Sequence, residues 1–69
     1  MNIHAEIANL FHKFSASEEN MVDGFVNYDY VETDIRIALG SLIEEISPEE
    51  FFDLFNDLVD LHLILLEAA

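Results

Sequence analysis

Proline and glycine are scarce in this chain, and their scarcity constrains the fold more than any other feature of the sequence. The 69 residues include one Pro and two Gly. Short strands joined by tight turns need such residues at most turns, so a chain that largely lacks them is more readily built from helices. The single proline follows Ser47 and precedes Glu49 and Glu50. A serine cap, a proline at the first helical position and a glutamate at the third predict a helix that begins at residue 48.

Another helix is predicted at the start of the chain. The segment NIHAEIANLFHKFS has its large apolar residues at the i, i+3, i+4, i+7 spacing of one helical face. These residues are Ile3, Ile7, Leu10, Phe11 and Phe14. Asn2 is a suitable N-cap residue. We therefore expect a helix over residues 2–15.

The central segment carries two competing patterns. Apolar side chains between positions 25 and 46 follow a helical period, and Glu32 with Arg36 makes an i, i+4 ion pair that supports a helix. Apolar and charged residues also alternate over positions 31–39 as they would in a strand, and Asp23-Gly24 is a turn signal. The helix is the better interpretation, because a lone strand would have no convincing partner.

These patterns predict an all-α fold of three helices, at about 2–15, 25–46 and 48–67. Gly24 and Gly40 are the positions at which the middle helix could be interrupted. The alternative is an α+β fold with a short strand or hairpin within 25–39. Residues 1–69 are expected to form a single acidic helical domain.

The charge of the chain is strongly one-sided. Fifteen Asp and Glu stand against Lys13 and Arg36, for a formal net charge of −13, while 52% of the residues are hydrophobic. A chain this hydrophobic is expected to fold, since disorder requires low hydrophobicity. Direct binding to nucleic acid or to an anionic membrane surface is disfavoured, because both need clustered Lys and Arg. The partner that this charge favours is a basic protein surface.

The shortness of the chain suggests that the folded monomer needs additional stabilisation. A core of this size only marginally offsets the entropy of ordering the chain, and small domains often rely on disulfides, a metal or a second subunit. Cys is absent, which excludes disulfides and thiolate metal sites. A homodimer is therefore expected. With neither a signal-peptide pattern nor an apolar run of about 20 residues, the chain is expected to be soluble and cytoplasmic.

On the helix predicted from residue 48, the side chains expected to face the core are Phe51, Phe52, Phe55, Leu58 and Val59. The same helix carries a row of carboxylates, which we call the acidic stripe. Glu50, Asp53, Asp57 and Asp60 repeat at helical spacing and repel one another across each turn. The stripe is either an ordinary solvated face or a surface that a basic partner neutralises. The full set of acidic candidates for partner binding is Asp29, Glu32, Asp34, Glu44, Glu45, Glu49, Glu50, Asp53, Asp57 and Asp60.

After Asp60 the same helix becomes apolar on all sides. This apolar end consists of Leu61, Leu63, Ile64, Leu65 and Leu66. A monomer of this size can bury only part of that circumference, so the apolar end is the predicted dimer interface. The alternative is that the segment is buried in the centre of a three-helix monomer.

Two tyrosines form a further candidate contact region within YDYVETD. Tyr28 and Tyr30 lie among carboxylates, and tyrosine at a recognition surface supplies contact area and a polar tip at small entropic cost. The structural alternative is that both tyrosines belong to the core and that their hydroxyls reach its edge.

No catalytic, metal or cofactor site is expected. His4, His12 and His62 lack the spacing of a metal-ligand set, and we interpret His12 and His62 as partly buried rings with hydrogen-bond partners. The adjacent glutamates at 44–45 and 49–50 are what an acidic composition alone produces. The serines and glycines form no nucleophile elbow or phosphate loop. The chain is expected not to be an enzyme.

Two functional hypotheses follow. In size, acidity and lack of Cys, the chain resembles the DNA-mimic inhibitors that phages and plasmids use against restriction, CRISPR, uracil-excision or nucleoid proteins. That resemblance implies a non-enzymatic inhibitor that blocks the basic nucleic-acid site of a target. The alternative is a dimeric helical interaction module, such as an antitoxin, an adaptor or a small complex subunit, that binds through its apolar side chains.

Overall fold

The computed structural model describes residues 2–68, and within this range the chain forms three α-helices and one short β-hairpin. The α-helices are α1 (Ile3–Ser15), α2 (Tyr28–Leu39) and α3 (Pro48–Ala68). The hairpin strands are β1 (Met21–Val22) and β2 (Phe25–Val26), and 3₁₀ helices span Glu18–Asn20 and Gly40–Glu45. The prediction of three helices is confirmed.

Local capping explains where each helix begins. Asn2 accepts hydrogen bonds from the backbone nitrogens of His4 and Ala5 at 3.0 and 3.3 Å. Asn27 does the same for residues 29 and 30 at the start of α2. Ser47 Oγ accepts from the backbone nitrogen of Glu50 at 3.1 Å. The caps at Asn2 and Ser47 are confirmed, and each satisfies donors that the first turn of a helix leaves free.

The second helix begins at Tyr28 and not at residue 25, because a hairpin occupies the residues before it. Met21 pairs with Val26 and Val22 with Phe25 in antiparallel register. Asp23 and Gly24 have φ values of 54° and 84°, and two left-handed residues in succession form the turn whose twist suits a hairpin. The predicted start at residue 25 is wrong.

The strand-like alternation over 31–39 lies entirely within α2. Val31, Ile35 and Leu39 are buried at helical spacing. The alternative of a strand or hairpin within 25–39 is therefore wrong for most of that window. Only Phe25 and Val26 belong to the hairpin there.

The second helix also ends earlier than predicted. Gly40 has φ 56° and ψ −128°, a backbone conformation that residues with a side chain rarely adopt, and the chain continues as a 3₁₀ helix to Glu45. The predicted end at residue 46 is wrong, and the interruption falls at one of the two glycines singled out from the sequence.

The helix α2 runs antiparallel to both α1 and α3. Tyr28, at the start of α2, stacks on Phe11 near the end of α1, with 6.1 Å between ring centroids. Arg36, near the end of α2, lies over the ring of Phe51 near the start of α3. Eight buried hydrophobic residues form the core among those described: Ile7, Phe11, Val31, Ile35, Leu39, Ile46, Phe51 and Phe55.

A buried amide ties the hairpin to the helices. Asn20 Nδ2 donates to the carbonyl oxygen of Phe14 at 3.0 Å and to Asp34 Oδ2 at 2.9 Å. The carbonyl oxygen of Asn20 accepts from the backbone nitrogen of Asn27 at 2.7 Å. Asn20 therefore links the end of α1 and the middle of α2 through its side chain, and the two ends of the hairpin through its backbone carbonyl.

The helix α3 is longer than its neighbours. Its 21 residues span roughly 30 Å, whereas the 13 residues of α1 span roughly 20 Å. His62 in α3 meets Tyr28, the first residue of α2, so the residues after His62 extend past the N-terminal end of α2. No helix within residues 2–68 is both long enough and apolar enough to cross a membrane.

Candidate functional site

The acidic stripe lies on the exposed side of α3. Glu50, Asp53, Asp57 and Asp60 are all exposed to solvent. Among the described residues, no Lys or Arg nitrogen lies within 4.0 Å of a stripe carboxylate; the nearest nitrogen of an ionisable side chain is His4 Nε2, 3.9 Å from Glu50 Oε2. Within residues 2–68, the stripe thus presents four like charges along one helix with no Lys or Arg close enough to neutralise them.

The other acidic candidates fall into two groups. Asp29, Glu44, Glu45 and Glu49 are exposed, and the last three lie on the 3₁₀ helix after α2 and the first turn of α3, next to the stripe in sequence. Glu32 and Asp34 are half-buried and make contacts within the fold. Glu32 Oε2 accepts from Arg36 Nε at 3.3 Å, and Asp34 Oδ2 accepts from Asn20.

The two basic residues of the chain do not neutralise the stripe. The guanidinium of Arg36 lies 4.4 Å from the ring centroid of Phe51, and its charge is offset by Glu32. Lys13 is exposed on α1, with its ammonium 5.6 Å from the ring centroid of Phe14. Both cations contact aromatic rings of the fold. The negative field of α3 is therefore left largely uncompensated.

The two tyrosine candidates have different environments. The Tyr28 hydroxyl is hydrogen-bonded to His62 Nδ1 at 2.6 Å, its ring stacks on Phe11, and burial raises the pKa of its hydroxyl. Tyr30 is exposed and open to a partner. Tyr28 therefore matches the structural alternative, while Tyr30 keeps the geometry of a contact residue.

The prediction that His12 and His62 are partly buried is right for His62 and wrong for His12. His62 is half-buried, hydrogen-bonded to Tyr28 and packed edge-on against Phe11. His12 is exposed, because it lies on the outer side of α1 beside the buried Phe11.

The apolar end of α3 is exposed on every side. Leu61, Leu63, Ile64, Leu65 and Leu66 have 44 to 60% of their surface open to solvent. The alternative that this segment is buried within the monomer is wrong, because α3 extends beyond the helices that pack against it. These five residues form an unpartnered apolar surface at one end of the bundle.

Two more exposed apolar features were not anticipated. Phe52 was expected to face the core with Phe51, but it is 58% exposed, because the adjacent Phe51 occupies the inward position. Met21, Val22 and Phe25 are exposed on the hairpin, which lies at the same end of the bundle as the apolar end of α3. The Asp23-Gly24 turn signal was the sequence feature that could have revealed the hairpin.

Two concave regions flank Arg36, and together we call them the Arg36 groove. One cavity of about 550 Å³ lies between α2, the 3₁₀ helix and the start of α3, and the other, of about 420 Å³, opens towards Phe52. Arg36 and Pro48 line both. No local sequence pattern identifies this groove, because its walls come from separate elements.

Among the described residues, the geometry offers no place for a metal ion. Within residues 2–68, no three side chains of the types His, Cys, Asp and Glu come together in a way that could hold one. The carboxylates of α3 follow one another along a single helix and do not converge on a common point.

Comparisons with known proteins found no match among family models, curated proteins or solved structures.

Proposed function

We infer that this protein is a non-enzymatic inhibitor that occupies the basic nucleic-acid-binding surface of a nucleic-acid-processing protein. The observation that carries this proposal is the acidic stripe, four exposed carboxylates on one face of one helix, with no Lys or Arg paired to them among the described residues. Such an arrangement suits a surface that evolved to receive phosphates.

The carboxylates of the stripe are spaced more widely than the charges of one DNA strand, but the two spacings are of the same order. Residues three or four apart on a helix are separated by roughly 5 Å along its axis, whereas one strand of duplex DNA carries a charge about every 3.4 Å. Lys and Arg side chains are long and flexible enough to accommodate that difference. Because α3 is held by the core through Phe51 and Phe55, the carboxylates are positioned before binding, and less entropy is lost on association.

The proposal includes pairing of two protomers through the apolar end of α3. Isologous contact of the same helix from two chains is the simplest way to cover a surface that is apolar on all sides. Pairing would remove that surface from water and place two acidic stripes in one particle.

A second candidate function is favoured by the same exposed apolar end. A helix with free leucines on every side can enter an apolar groove of a partner, as an adaptor or an antitoxin segment does. In this alternative the acidity serves solubility, and partner binding depends on residues 61–66 and not on the stripe.

The decisive experiment is competition with duplex DNA. Proteins retained from a cell lysate on the immobilised chain are eluted with duplex DNA, identified and purified, and displacement of labelled DNA from each is measured from about 0.05 to about 0.5 M salt. We expect duplex DNA to elute the target and its affinity for this protein to fall steeply with salt. Retention that duplex DNA cannot reverse, or binding insensitive to salt, would overturn the proposal.

A matched pair of variants separates the stripe from overall charge. Replacing Asp53, Asp57 and Asp60 with Asn removes three charges from α3. The control removes three exposed charges elsewhere through Glu18→Gln, Glu19→Gln and Asp23→Asn. The stripe variant should lose most of its competition with DNA and the control should keep it. Equal losses would mean that net charge, and not the stripe, determines binding.

A further inference from the structure

The Arg36 groove combines an apolar floor with an acidic rim. Its apolar lining includes Ile43, Ile46, Pro48 and Phe51, and the exposed ring of Phe52 borders the second cavity. The carboxylate-bearing residues around it are Glu44, Glu45, Glu49 and Asp53. A concave site with mostly apolar walls and a few polar or charged groups is the usual form of a binding pocket.

The charge around the groove determines which sign of charge its occupant should carry. Arg36 lies between the two cavities, but Glu32 offsets its charge and its guanidinium is stacked on Phe51. The four rim carboxylates form no ion pair with a Lys or Arg among the described residues, so the net field at the groove is negative. Complementarity therefore favours a basic occupant.

We propose that the Arg36 groove is the docking site for a basic amphipathic segment of a partner protein. An apolar side chain of that segment enters beside Pro48 and Phe52, and its Lys or Arg side chains pair with the rim carboxylates. This inference rests on the proposed function, in that it supplies the acidic surface of α3 with an anchoring point at its N-terminal end. The apolar anchor would give specificity for one partner that charge alone does not provide.

Charge complementarity also argues against a second copy of this chain as the occupant. With fifteen acidic residues against two basic ones, a copy would bring carboxylates against the rim. The apolar end, at the opposite end of α3, is the better surface for self-association.

The test uses the full chain and a short synthetic peptide that places Leu on one helical face and Lys on the other. Binding is measured by fluorescence anisotropy and mapped by NMR chemical-shift changes. We expect the shifts to concentrate at Ile43, Pro48 and Phe52. We expect Phe52→Ser to weaken the affinity by about tenfold or more, the size of effect expected of an anchoring aromatic.

The chain offers a matched control for the loss of an exposed apolar side chain. Ile37 is 72% exposed on α2 and does not line the groove, whereas Phe52 is 58% exposed beside it. Ile37→Ser should leave the affinity unchanged. The double variant Glu49→Gln, Asp53→Asn should weaken binding and reduce its dependence on salt.

Four outcomes would overturn the inference. Shifts confined to residues 57–66, with no effect of Phe52→Ser, would refute the groove and leave the proposed function standing. Equal affinity for a peptide with Gln in place of Lys would mean that the groove does not select a basic partner. If the chemical shifts of the groove residues change with protein concentration in the absence of peptide, the occupant of the groove is a second copy of this chain. Failure to bind even oligolysine would overturn this inference and the proposed function together.

Discussion

The hydroxyl of Tyr28 and Nδ1 of His62 lie 2.6 Å apart and join the first residue of α2 to α3. Both rings also pack on Phe11, Tyr28 in a stacked arrangement and His62 edge-on. The contact marks the point at which α3 leaves the bundle, because the residues from 63 to 67 are exposed. The Tyr28–His62 pair therefore lies within the apolar end, between Leu61 and Leu63, and holds its first turn on the bundle.

Loss of the Tyr28 hydroxyl should destabilise the fold. Tyr28→Phe keeps the ring on Phe11 but removes the partner of His62 Nδ1, and a net cost of about 0.5–1.5 kcal/mol in the free energy of unfolding is expected. Chemical denaturation measures this cost. Tyr30→Phe, at an exposed ring, is the control and should have no effect. Equal stability of both variants would mean that the hydrogen bond contributes nothing.

Alkaline pH should weaken the fold through the same residue. Burial raises the pKa of Tyr28 above that of the unfolded chain, so the folded state holds this proton more tightly. The associated stability is fully present below the unfolded pKa of about 10 and is lost as pH rises through the higher folded pKa. Above a pH of about 10, the free energy of unfolding should therefore fall more steeply in the wild type than in Tyr28→Phe. Parallel pH profiles would contradict this.

The buried amide of Asn20 should be important for stability. Asn20→Ala leaves the carbonyl oxygen of Phe14 and the carboxylate of Asp34 without their shared donor, and a cost of about 1–3 kcal/mol is expected. Thermal or chemical unfolding measures it. Asn56→Ala removes an exposed amide from α3 and should cost nothing, since alanine favours a helix. Similar losses in both variants would rule out a special role for Asn20.

Replacing Gly40 with an L-residue should destabilise the fold through backbone strain and not through a steric clash. A Cβ added there meets nothing within 4 Å, so the expected cost of about 1–3 kcal/mol for Gly40→Ala arises from the backbone alone. Replacement of Gly40 by D-alanine, accessible by chemical synthesis, should be tolerated because its mirror-image backbone preference matches φ 56° and ψ −128°. Comparable destabilisation by both alanines would disprove the strain argument.

Self-association should depend on the apolar end of α3. Leu63→Asp introduces a charge at an exposed position, so the monomer should stay folded while the dimer dissociates. Sedimentation equilibrium measures the oligomeric state and circular dichroism the helix content. Ile37→Asp adds the same charge to an exposed apolar position on α2 and should leave the dimer intact. A monomeric wild type would contradict the proposed pairing.

Helix starts were predictable because their signals are local. Asn2 and Ser47 satisfy backbone donors two or three residues away, so their role is visible in a few letters of sequence. Asn27 caps α2 in the same way, but it was not predicted as a cap because the helical period of apolar residues already starts at residue 25. The hairpin before it depends on Asn20, whose partners Phe14 and Asp34 lie 6 and 14 residues away in sequence.

The exposed and buried sides of α3 were only partly predictable. The periodicity assigned Phe51 and Phe55 to the core correctly but placed Phe52 there as well, and the sequence contains no signal that decides which of the two adjacent phenylalanines is buried. The packing of α2 decides it, because Arg36 contacts the ring of Phe51.

Three helices, two of their caps, a large negative charge and the row of carboxylates on α3 were all predictable from local sequence and composition. These properties depend on composition and on residues within one or two helical turns of each other. The hydrogen bond between Tyr28 and His62, the exposure of the apolar end and the groove around Arg36 became visible only in the folded arrangement of the helices. Burial and pairing of this kind depend on residues distant in the chain, and on α3 being longer than the helices that pack against it.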